Sequence, residues 1–196
     1  MSRRPTTLYL VRHGESEWNA AGLVQGQAAD AGGLTARGET QARRAAQALA
    51  GTHAEIVITS DLTRAVATAE PIAAALGVEP ELDPRLRERA FGRLEGLPAV
   101  GGAGIGVRGG VVVDPDARPA GGESLRELCG RAAQVIEDLV RRAPSAAVLV
   151  THGGFVRAAH VVLSGAQLEG ASWGEVPNAS VFEVRLDAGR LRGRHW

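Results

Sequence analysis

The stretch LYLVRHGESEWN, Leu8 to Asn19, decides how the rest of the chain is read: an apolar run of strand length ends abruptly in an arginine, a histidine and a glycine. Far downstream AVLVTHGG, Ala147 to Gly154, ends in the same way. Short, branched apolar runs bounded by polar residues read as buried strands. In open parallel sheets the crevice beyond the carboxyl ends of the strands is where ligands bind. Two strands that each end in His-Gly therefore predict two imidazoles converging on one crevice, with glycines that let backbone approach closely.

Working outward, strands and helices alternate. Thr35 is suited to cap a helix whose apolar positions are Ala42, Ala45, Ala46 and Leu49 and which Gly51 closes. EIVITS (Glu55 to Ser60) predicts a second strand, and Leu62, Ala65, Ala69, Ile72, Ala73 and Leu76 predict a second helix ended by Gly77. Residues Pro98 to Gly122 are rich in glycine, with only Val111 to Val113 resembling a strand, and predict a long excursion over the active site. A third helix carries Leu125, Leu128, Ala132, Val135, Ile136 and Leu139, AAVLV (Ala146 to Val150) is a strand, and Phe155 to Ser164 a helix. SVFEVRL (Ser180 to Leu186) alternates in the manner of an antiparallel edge strand. The expected fold is one domain over residues 1–196, of class α/β: a three-layer α/β/α sandwich on a mostly parallel sheet with an antiparallel edge strand.

The 22 basic and 22 acidic residues cancel, which excludes a global field that would draw the chain to nucleic acid or an anionic membrane. Cys129 is the one cysteine, so neither an intramolecular disulfide nor a paired-cysteine zinc motif is expected. The opening MSRRPTT has no apolar signal core and no run approaches a membrane span. A soluble, cytoplasmic protein is expected, with neither nucleic acid nor membrane as a partner; an exposed edge strand leaves a homodimer open.

His13, at a strand end, is placed to attack something bound in the crevice, and Arg12 beside it offers a fork for an oxyanion. His152, if protonated, would add a positive charge and a donor. In TSDLTRAVATAEP (Thr59 to Pro71), Arg64 falls in the first turn of the helix after a strand, where free amides and the helix dipole favour anions. LRERAFGRLEGL (Leu86 to Leu97) offers two carboxylates, Glu88 and Glu95. GGAGIGVRGG (Gly101 to Gly110) lacks the preceding strand and following helix that give a glycine-rich dinucleotide loop its meaning, and reads as a flexible loop. Trp18, Phe155 and Trp173 read first as packing residues and only second as a pocket rim.

In the order and spacing of these pieces, from Leu8 through about Ser180, the sequence resembles the histidine phosphatase superfamily, also called the phosphoglycerate mutase-like family. The matching pieces are the Arg-His-Gly opening, the strand end leading to Arg64 and Thr68, the segment from Leu86 to Leu97, GGES (Gly121 to Ser124) and the late His-Gly. The resemblance implies that His13 is a nucleophile that forms a phosphohistidine. It places Arg12, Arg64 and His152 around the transferred phosphoryl group and makes Asn19 a phosphate-binding residue, with Gln25, Gly26 and Gly153 as further phosphate or substrate contacts. It makes Glu88, rather than its neighbour Glu95, the general acid.

For this chemistry His13 must attack through a neutral ring nitrogen, its other nitrogen donating to a backbone carbonyl. Glu88 must be protonated for the leaving alkoxide and then ionised to activate water, so a mildly acidic to neutral optimum is expected. Two guanidiniums and an imidazolium can carry the charge of phosphoryl transfer in place of a metal, and no metal or cofactor is expected. The family's mutases resemble one another in a longer segment between the acid and GES that carries an Arg-Arg pair. Here 34 glycine-rich residues separate Glu88 from Glu123, without such a pair. The expected activity is that of a metal-independent phosphomonoesterase acting on a small phosphorylated metabolite. A mutase-type phosphotransferase is the alternative, and a non-catalytic phosphate-binding protein the alternative of another class. Arg87, Arg89, Arg108 and Arg118 are the candidates for holding an acidic substrate.

Overall fold

A computed structural model describes residues 5–99, 105–187 and 190–193. In chain order the elements are β1 (Thr6–Arg12), α1 (Glu17–Ala20), α2 (Ala36–Leu49), β2 (Ile56–Thr59), α3 (Thr63–Leu76), β3 (Pro80–Leu82), β4 (Val107–Arg108), β5 (Val111–Val112), α4 (Leu125–Arg142), β6 (Ala146–Thr151), α5 (Gly153–Ser164), β7 (Val181–Asp187) and β8 (Arg190–Gly193). Six strands form one sheet in the order β3-β2-β6-β1-β7-β8. Strands β3, β2, β6 and β1 run parallel, and β7 pairs antiparallel with β1. The antiparallel margin is one strand wider than expected, because β8 lies outside β7.

Strand β6 is central, and all six of its residues are buried, as a parallel strand covered on both faces requires. On one face, α2 and α3 pack small residues against it, with Ala45, Ala46 and Leu49 meeting Ala65, Ala69 and Ala73. On the other, α4 and α5 bring Leu128, Ala132, Leu139 and Phe155 onto Leu8, Leu10 and Leu149. Each large side chain buried in this way contributes about 1.5–3 kcal/mol. The three layers and the parallel sheet are those expected.

Two of the expected elements differ in detail. Helix α5 starts at Gly153, with His152 as its N-cap, two residues before Phe155. In the glycine-rich excursion, residues 100–104 lie outside those described, and from Ile105 onward the chain is tied down by backbone hydrogen bonds. The β4–β5 hairpin docks through Val112 N–H to Ala171 O at 3.0 Å and Trp173 N–H to Gly110 O at 2.7 Å, with Val112 buried beneath. Helix α1, capped by Ser16, and strand β3 are too short to leave a periodic signal in the sequence.

The register of β1 and β6 positions the site. Arg12 pairs with Thr151, and the His13 amide donates to Thr151 O at 2.8 Å. The two strands therefore end level, and the residues that follow them, His13 and His152, emerge side by side.

Candidate active site

The His13 and His152 rings lie with centroids 5.0 Å apart, and both are buried. Nδ1 of His13 is 2.7 Å from Gly14 O. A carbonyl can only accept, so Nδ1 carries the proton and Nε2 keeps its lone pair. Burial first, then the Arg64 and Arg12 guanidiniums, push the His13 pKa well below its usual range, while the bond to Gly14 opposes them. Both observations favour a neutral His13 ring with its Nε2 lone pair unprotonated.

The tight turn after His13 depends on glycine. A Cβ on Gly14 would stand 2.5 Å from Gly38 O, and the Gly14 amide donates to Thr68 Oγ1 at 3.0 Å. Thr68 in turn donates to Arg64 O at 2.8 Å, which ties the turn after His13 to α3.

Burial, then the charges of Arg64, His13 and Arg12, push the His152 pKa well below the usual value. This favours the neutral ring, and a dianion beside it would act in the opposite sense, toward the imidazolium expected from the sequence. Nε2 lies 2.9 Å from Ser60 Oγ, and that hydroxyl oxygen already accepts from Leu62 N–H at 3.3 Å. A hydroxyl oxygen can accept two bonds and donate one, so this contact fits either tautomer of His152; Nδ1 is buried with no hydrogen-bond partner among the described residues.

Two guanidiniums flank the imidazoles. Arg64 is buried, donates from Nη2 to Gly26 O at 2.8 Å, and has its pKa lowered to about 10, chiefly by burial, so it stays charged at neutral pH. Arg12 is held by Val176 O. The Nε donors of Arg12 and Arg64, like His152 Nδ1, are buried without a partner among the described residues. Buried donors are rarely left unpaired unless a ligand takes them. Asn19 and Gln25 also face this pocket. Asn19 Oδ1 accepts from Ser16 N–H and Asn178 Nδ2, which leaves its own Nδ2 as the group able to donate to a ligand. Gly26 lines the pocket, whereas Gly153 sits behind Arg12 and does not.

The two candidate carboxylates have different employment. Oε1 of Glu95 accepts from the amides of Gln27 and Phe91, at 3.0 and 2.8 Å, and so ties two loop segments together. Glu88 lines the pocket. Its Oε1 accepts from Arg89 N–H at 2.8 Å and its Oε2 from Gly154 N–H at 3.0 Å. Its backbone carbonyl is gripped by Gln27 Nε2 and by Arg131, which also forms a two-pronged pair with Glu123 of the GGES segment. The resemblance singled out GGES without saying what it does: Glu123 anchors the arginine that fixes the Glu88 loop.

The pocket encloses about 420 Å³. Past the phosphate-sized corner its wall includes Leu23, Val24, Phe91, Leu94 and Trp173, with Arg157 from α5. Of the three aromatics read first as packing residues, Phe155 is core, Trp18 lies against Gly96, and Trp173 lines the pocket. Arg157, Ser60 and Gly154 were not foreseen. Arg157 stands one helical turn after Gly154, and the doubled glycine of THGG was the visible hint that something packs against the second one.

Two buried imidazoles flanked by guanidiniums, with a carboxylate in the same pocket at the carboxyl edge of a parallel sheet, fit an enzyme of phosphoryl chemistry, a phosphatase or a phosphotransferase. The chain belongs to the histidine phosphatase superfamily (branch 1), whose model matches residues 8–196. It is similar to a probable phosphoglycerate mutase of Cronobacter sakazakii, 42% identical over 153 residues that make up 74% of this chain and 69% of that one. Among solved structures it resembles a mycobacterial glucosyl-3-phosphoglycerate phosphatase in complex with VO3, with a TM-score of 0.83 at 30% identity over 97% of this chain and 98% of that one. It also resembles a phosphoserine phosphatase mutant from Entamoeba histolytica in complex with phosphoserine, with a TM-score of 0.82 at 26% identity over 97% and 95% of the two chains. Among the described residues no helix is long and apolar enough to cross a membrane.

Proposed function

We propose that the protein is a phosphomonoesterase that works through a phosphohistidine on His13, without a metal, on a small phosphorylated metabolite. The observation that carries this reading is the Nδ1 bond of His13 to Gly14 O, which leaves Nε2 as a lone-pair nucleophile between Arg12 and Arg64. In the first step Nε2 attacks phosphorus, the N–P bond forms and the ester P–O bond breaks, and the leaving alkoxide takes the proton of the Glu88 carboxyl group. In the second, ionised Glu88 takes a proton from water, the hydroxide attacks phosphorus and the P–N bond breaks, releasing inorganic phosphate and neutral His13. Arg12, Arg64, Asn19 and His152 hold the equatorial oxygens, where phosphoryl transfer needs charge stabilisation.

Hydrolysis is favoured over return of the phosphoryl group to a sugar acid because the pair of neighbouring arginines of the mutase insert is absent, and three of the four arginines offered in its place are engaged elsewhere. Arg87 forms a two-pronged pair with Asp61, Arg89 gives its donors to the carbonyls of Glu123, Ile105 and Ala117, and Arg118 pairs with Glu127. Arg108 lies on the exposed β4–β5 hairpin. The phosphatases among the structural relatives support the same reading, while the name of the Cronobacter relative keeps the mutase reading in view. The test is inorganic phosphate release from a panel of phosphomonoesters in the presence of a chelator, with phosphoglycerate interconversion assayed in parallel. Release that is abolished by His13→Ala supports the reading; interconversion without release makes the protein a mutase, and neither activity makes it a phosphate-binding protein.

A further inference from the structure

The pocket is larger than a phosphoryl group needs, and the unused part has a definite chemistry. Its volume of about 420 Å³ lies within the range of roughly 300–1,000 Å³ typical of sites for whole small molecules. Leu23, Val24, Phe91, Leu94 and Trp173 give this part an apolar lining. Among the described residues, one guanidinium in that lining has nitrogens with no hydrogen bond. Arg157 lies 5.8 Å over the Trp173 ring and spends Nε on Gly174 O at 2.5 Å, leaving the two Nη groups on a side chain that borders the pocket. Arg89, the other guanidinium on this wall, has each of its three nitrogens bonded to a carbonyl. Arg157 projects from α5 one turn after Gly154, whose amide holds the Glu88 carboxylate. The cation is therefore next to the group that protonates the ester oxygen, where the alcohol half of the substrate begins.

Resting on the phosphatase reading above, we infer that the alcohol half of the substrate combines an apolar, ring-sized body with a carboxylate, the body lying against Phe91 and Trp173 and the carboxylate taken by the Nη groups of Arg157. A guanidinium stacked on an indole and fixed at Nε presents its two Nη donors in the geometry of a two-pronged carboxylate contact. A carboxylate suits the site better than a second phosphate, because Glu88 and Glu175 already act on Arg157 and a further dianion would face them both. The apolar wall rewards a body that leaves water on binding, by about 25 cal/mol for each Å² buried. A small polyol would leave that wall wet.

Three esters separate the parts of this inference: the phosphate ester of phenyllactate, the matching ester in which methyl replaces the carboxylate, and the phosphate ester of lactate, which keeps the carboxylate and lacks the ring. The wild type is expected to favour the first over each of the others by about tenfold or more in kcat/KM. In Arg157→Gln the preference for carboxylate over methyl collapses to near unity, through KM more than kcat, and Arg157→Lys restores part of it. Equal kcat/KM for the carboxylate and methyl esters in the wild type overturns the inference. So does an equal loss on both in Arg157→Gln, which would make Arg157 a counter-charge to Glu88 or a phosphate ligand. Equal rates on the lactate and phenyllactate esters overturn the apolar half. Hydrolysis of p-nitrophenyl phosphate, compared between wild type and His13→Ala, is the separate control: if the wild type shows none that depends on His13, it is the phosphatase reading that fails.

Discussion

The amide of Gly154 donates to Oε2 of Glu88 at 3.0 Å, and a Cβ on Gly154 would stand 2.0 Å from Oε1 of the same carboxylate. The second glycine after His152 is thus the seat of the proposed general acid. A side chain there meets the far end of a flexible glutamate rather than backbone, so the fold can yield by moving Glu88. Gly154→Ala is expected to leave the urea unfolding midpoint nearly unchanged and to lower kcat about 100-fold on alkyl phosphates. The loss on aryl phosphates, whose leaving groups need no proton, is expected to be smaller. Equal loss on both classes of ester would detach Gly154 from the acid.

Gly14 makes the opposite kind of contact. The oxygen 2.5 Å from its missing Cβ belongs to the backbone of Gly38, at the start of α2, and neither segment can turn aside without moving the other. Gly14→Ala is expected to destabilise the protein by about 1–3 kcal/mol in urea unfolding and also to lower kcat, because His13 Nδ1 is oriented by the Gly14 carbonyl. Unchanged stability would mean that the turn has more freedom than this contact allows.

The contact of Ser60 Oγ with His152 Nε2 predicts that Ser60 positions the ring. Removing its hydroxyl in Ser60→Ala leaves a buried Nε2 without its partner, at a cost of about 1–3 kcal/mol, and frees the ring to change tautomer. Nitrogen NMR of the histidines is expected to find His152 in a single tautomer in the wild type and mixed in the variant, with kcat reduced. A variant that loses stability alone, with the tautomer and kcat unchanged, would give Ser60 a structural role only.

The buried histidines also set a pH dependence of stability. Both have pKa values pushed well below the usual value of about 6.5, by burial first and by the guanidiniums next. Below that value the unfolded chain binds protons that the folded chain refuses, so stability falls as pH drops, by up to about 1.4 kcal/mol per pH unit for each histidine. Carboxylates such as Asp61, held low by its hydrogen bonds to Arg87, lose their contribution only in the more acidic range below about pH 4. Urea unfolding between about pH 7.5 and 5.5 is expected to slope downward toward acid in the wild type. The slope should be shallower in His13→Asn and in His152→Asn, and a wild-type curve flat over this window contradicts the neutral pair.

What the sequence made legible follows from how the information is stored. The strands ending at Arg12 and Thr151 announce themselves because burial on both faces demands unbroken apolar runs, and their parallel pairing brings His13 and His152 level. Long amphipathic helices such as α4 are equally plain. Arg157 and Ser60 escaped because each acts through a neighbour distant in sequence, Trp173 for one and His152 for the other, and no local pattern records such a partner. The choice between Glu88 and Glu95 came from the resemblance alone; the structure supplies the physical difference, in that both carboxylates accept from two backbone amides but Glu88 borders the pocket and Glu95 does not. The downward push on the His152 pKa was out of reach for a related reason, since it comes from burial first and then from charges that other segments supply, Arg64 foremost.

The claim at the centre of this account is that His13 carries the phosphoryl group, and Glu88→Gln offers the most direct view of it. Given an aryl phosphate, this variant needs no acid for the first step and lacks the base for the second, so the intermediate accumulates. Rapid mixing is expected to give a burst of phenol equal to the enzyme present, and alkaline quenching followed by mass spectrometry of the peptides is expected to find one phosphoryl group, on His13. A burst with the phosphoryl group on another residue, or phenol and phosphate appearing in step with no burst, would contradict it.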